Sequence, residues 1–257
     1  MLKVRVIPTL LWKDYGLVKG IGFNSWRRVG PVLPAIKVYN SRDVDELLLV
    51  DITATALGQP PDHETIADFS QECSVPLTVG GGITSLDQIV ALLQAGADKV
   101  SINSTAFVDP NLINQAAARF GAQCVVASID ALRHPDGHYS CCSHSGSRDT
   151  RREPVEWARE LVDRGAGEIL LTSVDRDGTM SGYDLELINS LSQRLDVPLI
   201  ASSGAGSLQH CRAALEAGAS AITISSMFLF SDHSPIKVRT YLSTNGVEVR
   251  SQRGSHS

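Results

Sequence analysis

Pro76 opens the stretch PLTVGGGITSLDQIVALLQAGADKVSINST, and Pro198 opens PLIASSGAGSLQHCRAALEAGASAITISSM. The two align without gaps at a constant offset of 122 residues. Identities fall at Pro76/Pro198, Leu77/Leu199, Gly82/Gly204, Ser85/Ser207, Leu86/Leu208, Ala95/Ala217, Gly96/Gly218, Ala97/Ala219, Ile102/Ile224 and Ser104/Ser226. Each copy holds a short apolar run, a small-residue turn, an amphipathic stretch closed by glycine, and a second apolar run. That is the pattern of a β-α-β unit. A repeat near half the chain length implies two similar halves.

Outward from the repeat, eight apolar runs predict strands at Lys3–Leu11, Glu46–Thr53, Pro76–Val79, Lys99–Asn103, Cys124–Ala131, Glu168–Ser173, Pro198–Ser202 and Ala221–Ser225. Their continuous Val, Ile and Leu content suits parallel strands buried on both faces. Amphipathic segments lie between them at Asp87–Ala95, Asn111–Phe120, Pro154–Arg164, Leu185–Leu195 and Leu208–Ala217, several ending at a capping glycine such as Gly121 or Gly165. Eight such units in 257 residues predict an α/β (β/α)8 TIM barrel of two half-barrels, with a doubly wound open sheet as the alternative. The expected organisation is a single barrel domain over residues 1–250 and a polar C-terminal tail over 251–257.

Composition narrows the function classes. Lys and Arg number 23 against 28 Asp and Glu, a formal net charge of −5, which does not suit a nucleic-acid binder. No apolar stretch reaches the ~20 residues of a membrane span. The N-terminus reads as a strand rather than a signal peptide. Five cysteines without C-x-x-C spacing read as free thiols in a reducing cytoplasm. His134, His138 and His144 surround a turn without the spacing of a closed metal site, so no metal and no cofactor are expected.

A barrel of this kind places its active site at the C-terminal ends of the strands. The repeat sets small-residue turns there twice: Gly80-Gly81-Gly82 with Asn103-Ser104, and Ser202-Ser203-Gly204 with Ser225-Ser226. Backbone N–H groups and hydroxyls at such turns suit phosphates, so two phosphate sites are expected on opposite sides of the mouth. Asp51, Asp130, Asp175 and Asp177 end strands, and Lys19 follows the first strand. Each aspartate is a candidate general base or a loop cap. At the other end, Arg5, Glu46, Lys99 and Glu168 begin or precede strands. They would face into the bottom opening as a ring of alternating charge, a structural plug on residue chemistry alone.

The stretches LVKG (17–20), DELLLVDITA (45–54), PLTVGGGI (76–83), AGADKVSIN (95–103), GAGEILLTSVDRDGT (165–179), SGYDLEL (181–187) and ASSGAG (201–206) resemble the cyclase subunit of imidazole glycerol phosphate synthase from Met1 to about Arg250. The resemblance implies a (β/α)8 barrel in a heterodimer with a class I glutaminase subunit. Ammonia released there passes through the barrel to a doubly phosphorylated ligand at the top. It further implies that Asp130 and Lys19 are catalytic. Gly82, Asn103 and Ser104 would bind one phosphate, and Asp177, Gly178, Gly204, Ser225 and Ser226 the other. Arg5, Glu46, Lys99 and Glu168 would form an ammonia gate, Thr78, Ser101 and Gln123 the path, and Asp98 part of the glutaminase-facing surface.

The departures are specific. The family reads I-I-P-x-L-D-V-K-D-G where this chain reads VIPTLLWKDY, so the first catalytic aspartate is Leu11. The family's S-G-G-A-G is SSGAG, and its A-L-A-A-S-V-F-H is ITISSMFL. Leu11-Trp12 and Trp26-Arg27-Arg28 resemble a second class of such barrels. That class works with its own glutaminase, supplying ammonia to a third, amidotransferase enzyme that builds amidines on nucleotide-activated sugars for surface polysaccharide. The alternative is a working cyclase of histidine biosynthesis. A non-catalytic scaffold for the glutaminase and a sugar-phosphate isomerase on the same plan are weaker readings.

Overall fold

The computed structural model describes residues 3–14, 16–42 and 44–250. Met1, Tyr15 and the tail 251–257 lie outside the described residues.

Eight parallel strands close on themselves: β1 (Arg5–Lys13), β2 (Leu47–Asp51), β3 (Leu77–Gly80), β4 (Lys99–Ile102), β5 (Val125–Arg133), β6 (Glu168–Ser173), β7 (Leu199–Ser202) and β8 (Ala221–Ile224). Each pairs with the next, and β8 pairs back onto β1, Arg5 opposite Ala221 and Pro8 opposite Ile224. The fold is a (β/α)8 barrel, and the open-sheet alternative is excluded by that last pairing. All eight expected strands are present, Glu168–Ser173 unchanged and the ends of the others moved by at most two residues.

Among the described residues, eight helices of eight or more residues follow the strands: α1 (Val32–Asn40), α2 (His63–Gln71), α3 (Leu86–Gln94), α4 (Asn111–Phe120), α5 (Pro154–Asp163), α6 (Leu185–Ser192), α7 (Leu208–Glu216) and α8 (Pro235–Thr244). Their starts are written locally. Ser85 and Ser207 accept from the third backbone N–H of α3 and α7, and Asp62 and Asp184 do the same for α2 and α6. Pro154 and Pro235 occupy the first helical position, where the missing N–H costs nothing.

The β-strand alternation divides the core in two. Outward residues such as Val6, Leu10, Leu47 and Leu49 join one cluster with the helices. Inward residues Ile7, Leu48, Val126, Leu170, Ile200 and Ala221 form a second cluster inside the barrel. This apolar layer separates the bottom opening from the top.

Two insertions rise from the top. The chain after β1 forms a hairpin of strands Gly16–Ile21 and Asn24–Gly30. β5 continues into a second hairpin with strand Tyr139–Ser143. Lys19, expected in a loop, therefore lies in a paired strand.

Candidate active site at the barrel mouth

The registers make the internal repeat three-dimensional. Leu11 pairs with Val50, and Asp130 pairs with Thr172. Val50 and Thr172 are themselves 122 residues apart, so Leu11 occupies the position in the first half that Asp130 occupies in the second. Both side chains line the same cavity at the mouth.

Asp130 is buried. The Asn103 amide donates to its Oδ2 at 2.8 Å. Burial pushes its carboxyl up to about 7, opposed by the Asn103 hydrogen bond, supported by the charge of Asp177 and opposed by a hydrogen bond from Thr172. A carboxyl balanced near neutrality can take or give a proton, as a general acid or base requires. Leu11 can do neither.

Lys19 is also buried, and its Nζ lies 2.6 Å from Asp177 Oδ1. The hairpin is thereby held over the mouth, aided by the Gly22 N–H donating to the Asp177 carbonyl at 2.9 Å. Phe23 and Trp26 of the same hairpin complete the cavity wall. Gly178 permits this closeness: it has φ +72°, and a Cβ there would run into the Gly20 carbonyl oxygen. Gly178→Ala is expected to lift the hairpin, raising amide exchange across residues 16–30 while leaving barrel strands protected.

The two small-residue turns face each other across the cavity. Gly82, Asn103 and Ser104 line one side, and Gly178, Gly204, Ser225 and Ser226 the other. Their backbones match: Asn103 has φ −124° and ψ −88°, Ser225 φ −126° and ψ −74°. Ser104 Oγ accepts from the His144 N–H at 2.9 Å, which leaves its own proton free to donate. Of the other aspartates, Asp51 caps its own loop through Thr53 and Ala54, and Asp175 accepts from the Arg133 N–H. Asp51 also lines the mouth cavity, whereas Asp175 does not.

At the bottom, Arg5, Glu46, Lys99 and Glu168 form a closed ring. Arg5 lies 2.8 Å from Glu46 and 3.1 Å from Glu168, and Lys99 lies 3.0 and 3.1 Å from the same two. Thr78 Oγ1 donates to Glu46 at 2.6 Å. Burial works against the guanidinium charge, yet Glu168 and Glu46 hold Arg5 above its ordinary value. Asp98 is exposed on this rim and accepts from the Leu77 N–H. Thr78 and Ser101 are buried on the inner wall. Gln123 is a correction: it is exposed in the turn before β5, bonded to the Phe120 carbonyl, and lines no internal path.

Residue-by-residue reading overlooked the wall between apolar layer and mouth. Thr9, Ser128, Thr172 and Thr223 all line the cavity with Ser101. Each stands an even number of residues from an inward apolar neighbour on its strand, so the period of two would have revealed them.

A family profile described as Histidine biosynthesis protein matches residues 5–234. The chain is 46% identical over 246 residues to the imidazole glycerol phosphate synthase subunit HisF of Campylobacter concisus, covering 96% of this chain and 97% of the relative. It is likewise 46% identical over 251 residues to the subunit of that name from Hyphomonas neptunium, covering 97% and 99%. With the closed barrel, its twofold sequence repeat and these matches along nearly its full length, the chain belongs to the HisF family.

Proposed function

We propose that this chain is the ammonia-receiving barrel subunit of a glutamine amidotransferase of the imidazole glycerol phosphate synthase type, with its own ring-closing chemistry weakened. A glutaminase subunit docks on the bottom rim near Asp98 to form a heterodimer. Ammonia enters through the ring of Arg5, Glu46, Lys99 and Glu168 and passes Thr78 and Ser101 to the mouth. There Asp130 and Lys19 meet a phosphorylated ligand held by Gly82, Asn103 and Ser104. The ammonia goes on to a third enzyme for amidine formation on a nucleotide-activated sugar of surface polysaccharide. The complex works in the cytoplasm, and residues 1–250 act as one domain.

The observation that carries this reading is Leu11 opposite Asp130 in matched register. Ring closure that shares acid and base work between two carboxylates loses one of them. Such help is worth about 10²–10⁴-fold in rate. The kept ring and the kept Asp130 support ammonia handling rather than a bare scaffold. The second reading is a working cyclase of histidine biosynthesis, and the names of both relatives favour it. In that case Asp130 and a water carry both proton transfers.

An ammonia-dependent cyclase assay separates the two. The substrate is the phosphoribulosyl-formimino-aminoimidazole-carboxamide ribonucleotide with excess ammonium salt. The expected result is negligible turnover by the wild type and measurable turnover by Leu11→Asp. Robust wild-type turnover would overturn the first reading in favour of the second.

A further inference from the structure

The charged ring at the bottom is held from behind by a second buried ion pair. Arg5 is flanked by Val4 and Val6, and Glu46 directly follows Asp45. The Val6 N–H donates to Asp45 Oδ2 at 2.9 Å. Asp45 Oδ1 lies 3.6 Å from Arg239 Nη2 of α8, and both side chains are almost wholly buried. Arg239 Nη2 also donates to the Arg250 carbonyl at 3.3 Å. The same C-terminal segment reaches the other flank of Arg5, where the Val4 N–H donates to the Glu248 carbonyl at 2.9 Å. Both neighbours of Arg5, and the residue before Glu46, are thus tied to α8 and the segment after it.

The repeat supplies an internal comparison. Val125 stands in β5 where Val6 stands in β1, at the same offset that relates Leu11 to Asp130. The Val125 N–H donates to the Ala122 carbonyl of the turn just before it. Gly167 stands at the position of Asp45, 122 residues on, and a Cβ there would run into that same carbonyl. The start of β5 is therefore satisfied locally. The start of β1 takes its acceptor from the neighbouring strand instead, and that acceptor is oriented by a helix near the other end of the chain. A buried backbone N–H must find an acceptor. A carboxylate takes donors on both oxygens, so Asp45 fixes Val6 and Arg239 together. Arg5 meets Glu46 at 2.8 Å and Glu168 at 3.1 Å. A backbone shift of about 1 Å at Val6 would carry those contacts out of hydrogen-bond range.

We propose that Asp45 and Arg239 are positioning residues of the ring. Their buried pair sets where Arg5 and Glu46 stand, and it couples the ring to α8 and to the C-terminal segment. The ring is closed because this brace holds one side of it in place. This rests on the reading above that the ring admits ammonia, and it names the part of the fold that sets the ring's geometry.

The test is solution NMR of the full chain, recorded well below the melting temperature of every variant. A guanidinium pinned through one Nη by two carboxylates rotates slowly about its Cζ–Nε bond. That rotation is read for Arg5, whose signal is assigned through Arg5→Lys, together with amide exchange at Val6. In Arg239→Met both rates are expected to rise about 10-fold or more, while amides of β3 to β7 keep wild-type protection. Arg239→Lys, which still offers Asp45 a cation, is expected to restore most of the restraint. Should Arg239→Met fail to fold, Asp45→Asn combined with Arg239→Met leaves no orphaned buried charge and is expected to show the same loosening. Folded variants with wild-type rotation of Arg5 and wild-type exchange at Val6, whatever their melting temperatures, would overturn the proposal and leave the pair as a support for α8 alone. Equal loosening in Arg239→Lys and Arg239→Met would overturn it too, since a cation at Asp45 would then not matter to the ring. The readout is the ring and not ammonia, so failure of this proposal and failure of the ammonia reading are distinguishable.

Discussion

Chemical denaturation of the wild type is expected to show stability falling as pH rises from about 4 to about 7, and Asp130→Asn is expected to flatten that slope. In the unfolded chain the carboxyl of Asp130 ionises near 3.8; folded, it does so near about 7. Between those values the native state holds a proton that the unfolded state has released. Stability therefore decreases with pH, because the unfolded state binds fewer protons. The penalty is absent below about 4 and complete above about 7. The interval corresponds to roughly 4 kcal/mol at one pKa unit per 1.36 kcal/mol, an upper figure. Asparagine retains an oxygen for the Asn103 amide at 2.8 Å, so the fold is expected to survive. Carboxylates with depressed values, such as Asp62 and Glu160, act in the opposite direction. They contribute stability lost at more acid pH, as the solution falls through their folded values. The difference between wild type and Asp130→Asn isolates the one group. Identical pH profiles for the two proteins would show that Asp130 ionises as an ordinary carboxylate. The same substitution is expected to lower any barrel-dependent turnover about 10²–10⁴-fold.

The second large effect is expected at the bottom ring. Arg5→Ala leaves Glu46 and Glu168 facing each other with Lys99 as the one remaining cation of the ring. Arg5 and Glu46 are 11% and 4% exposed as side chains, so water compensates little. Removing one partner of a buried ionic group costs about 3–5 kcal/mol because the other charge is left behind. For a domain of this size that lowers the melting temperature by roughly 6–20 °C, at about 2–4 °C per kcal/mol. Arg5→Ala with Glu168→Gln should recover a good part of the loss, since the orphaned charge is then gone. Non-additivity above about 1 kcal/mol in that cycle checks the coupling. Strict additivity would mean that the ring residues act independently despite their distances.

Much of this protein is legible in its sequence alone. The repeat at 122 residues, the eight apolar runs and the glycine caps determined the eight β-α units, because strand and helix periodicities are local properties of the chain; the pairing of β8 onto β1 decided that they close into a barrel. Ser85 and Ser207 cap their helices through contacts three residues long. The loss of a carboxylate at Leu11 was also plain in the sequence.

Tertiary structure decided what lies between distant positions. The pairing of Lys19 with Asp177 spans 158 residues, and the Arg5 to Glu168 pair spans 163. No local pattern encodes which charge meets which across a closed barrel. Gln123 shows the converse: the family resemblance implies an internal path there, yet it sits exposed in the turn before β5. Ser203 shows it again. The sequence determined that a serine stands where the other half has glycine. Only the fold decided that its hydroxyl reaches Asp177, because the turn after β7 and the loop after β6 meet when the cylinder closes.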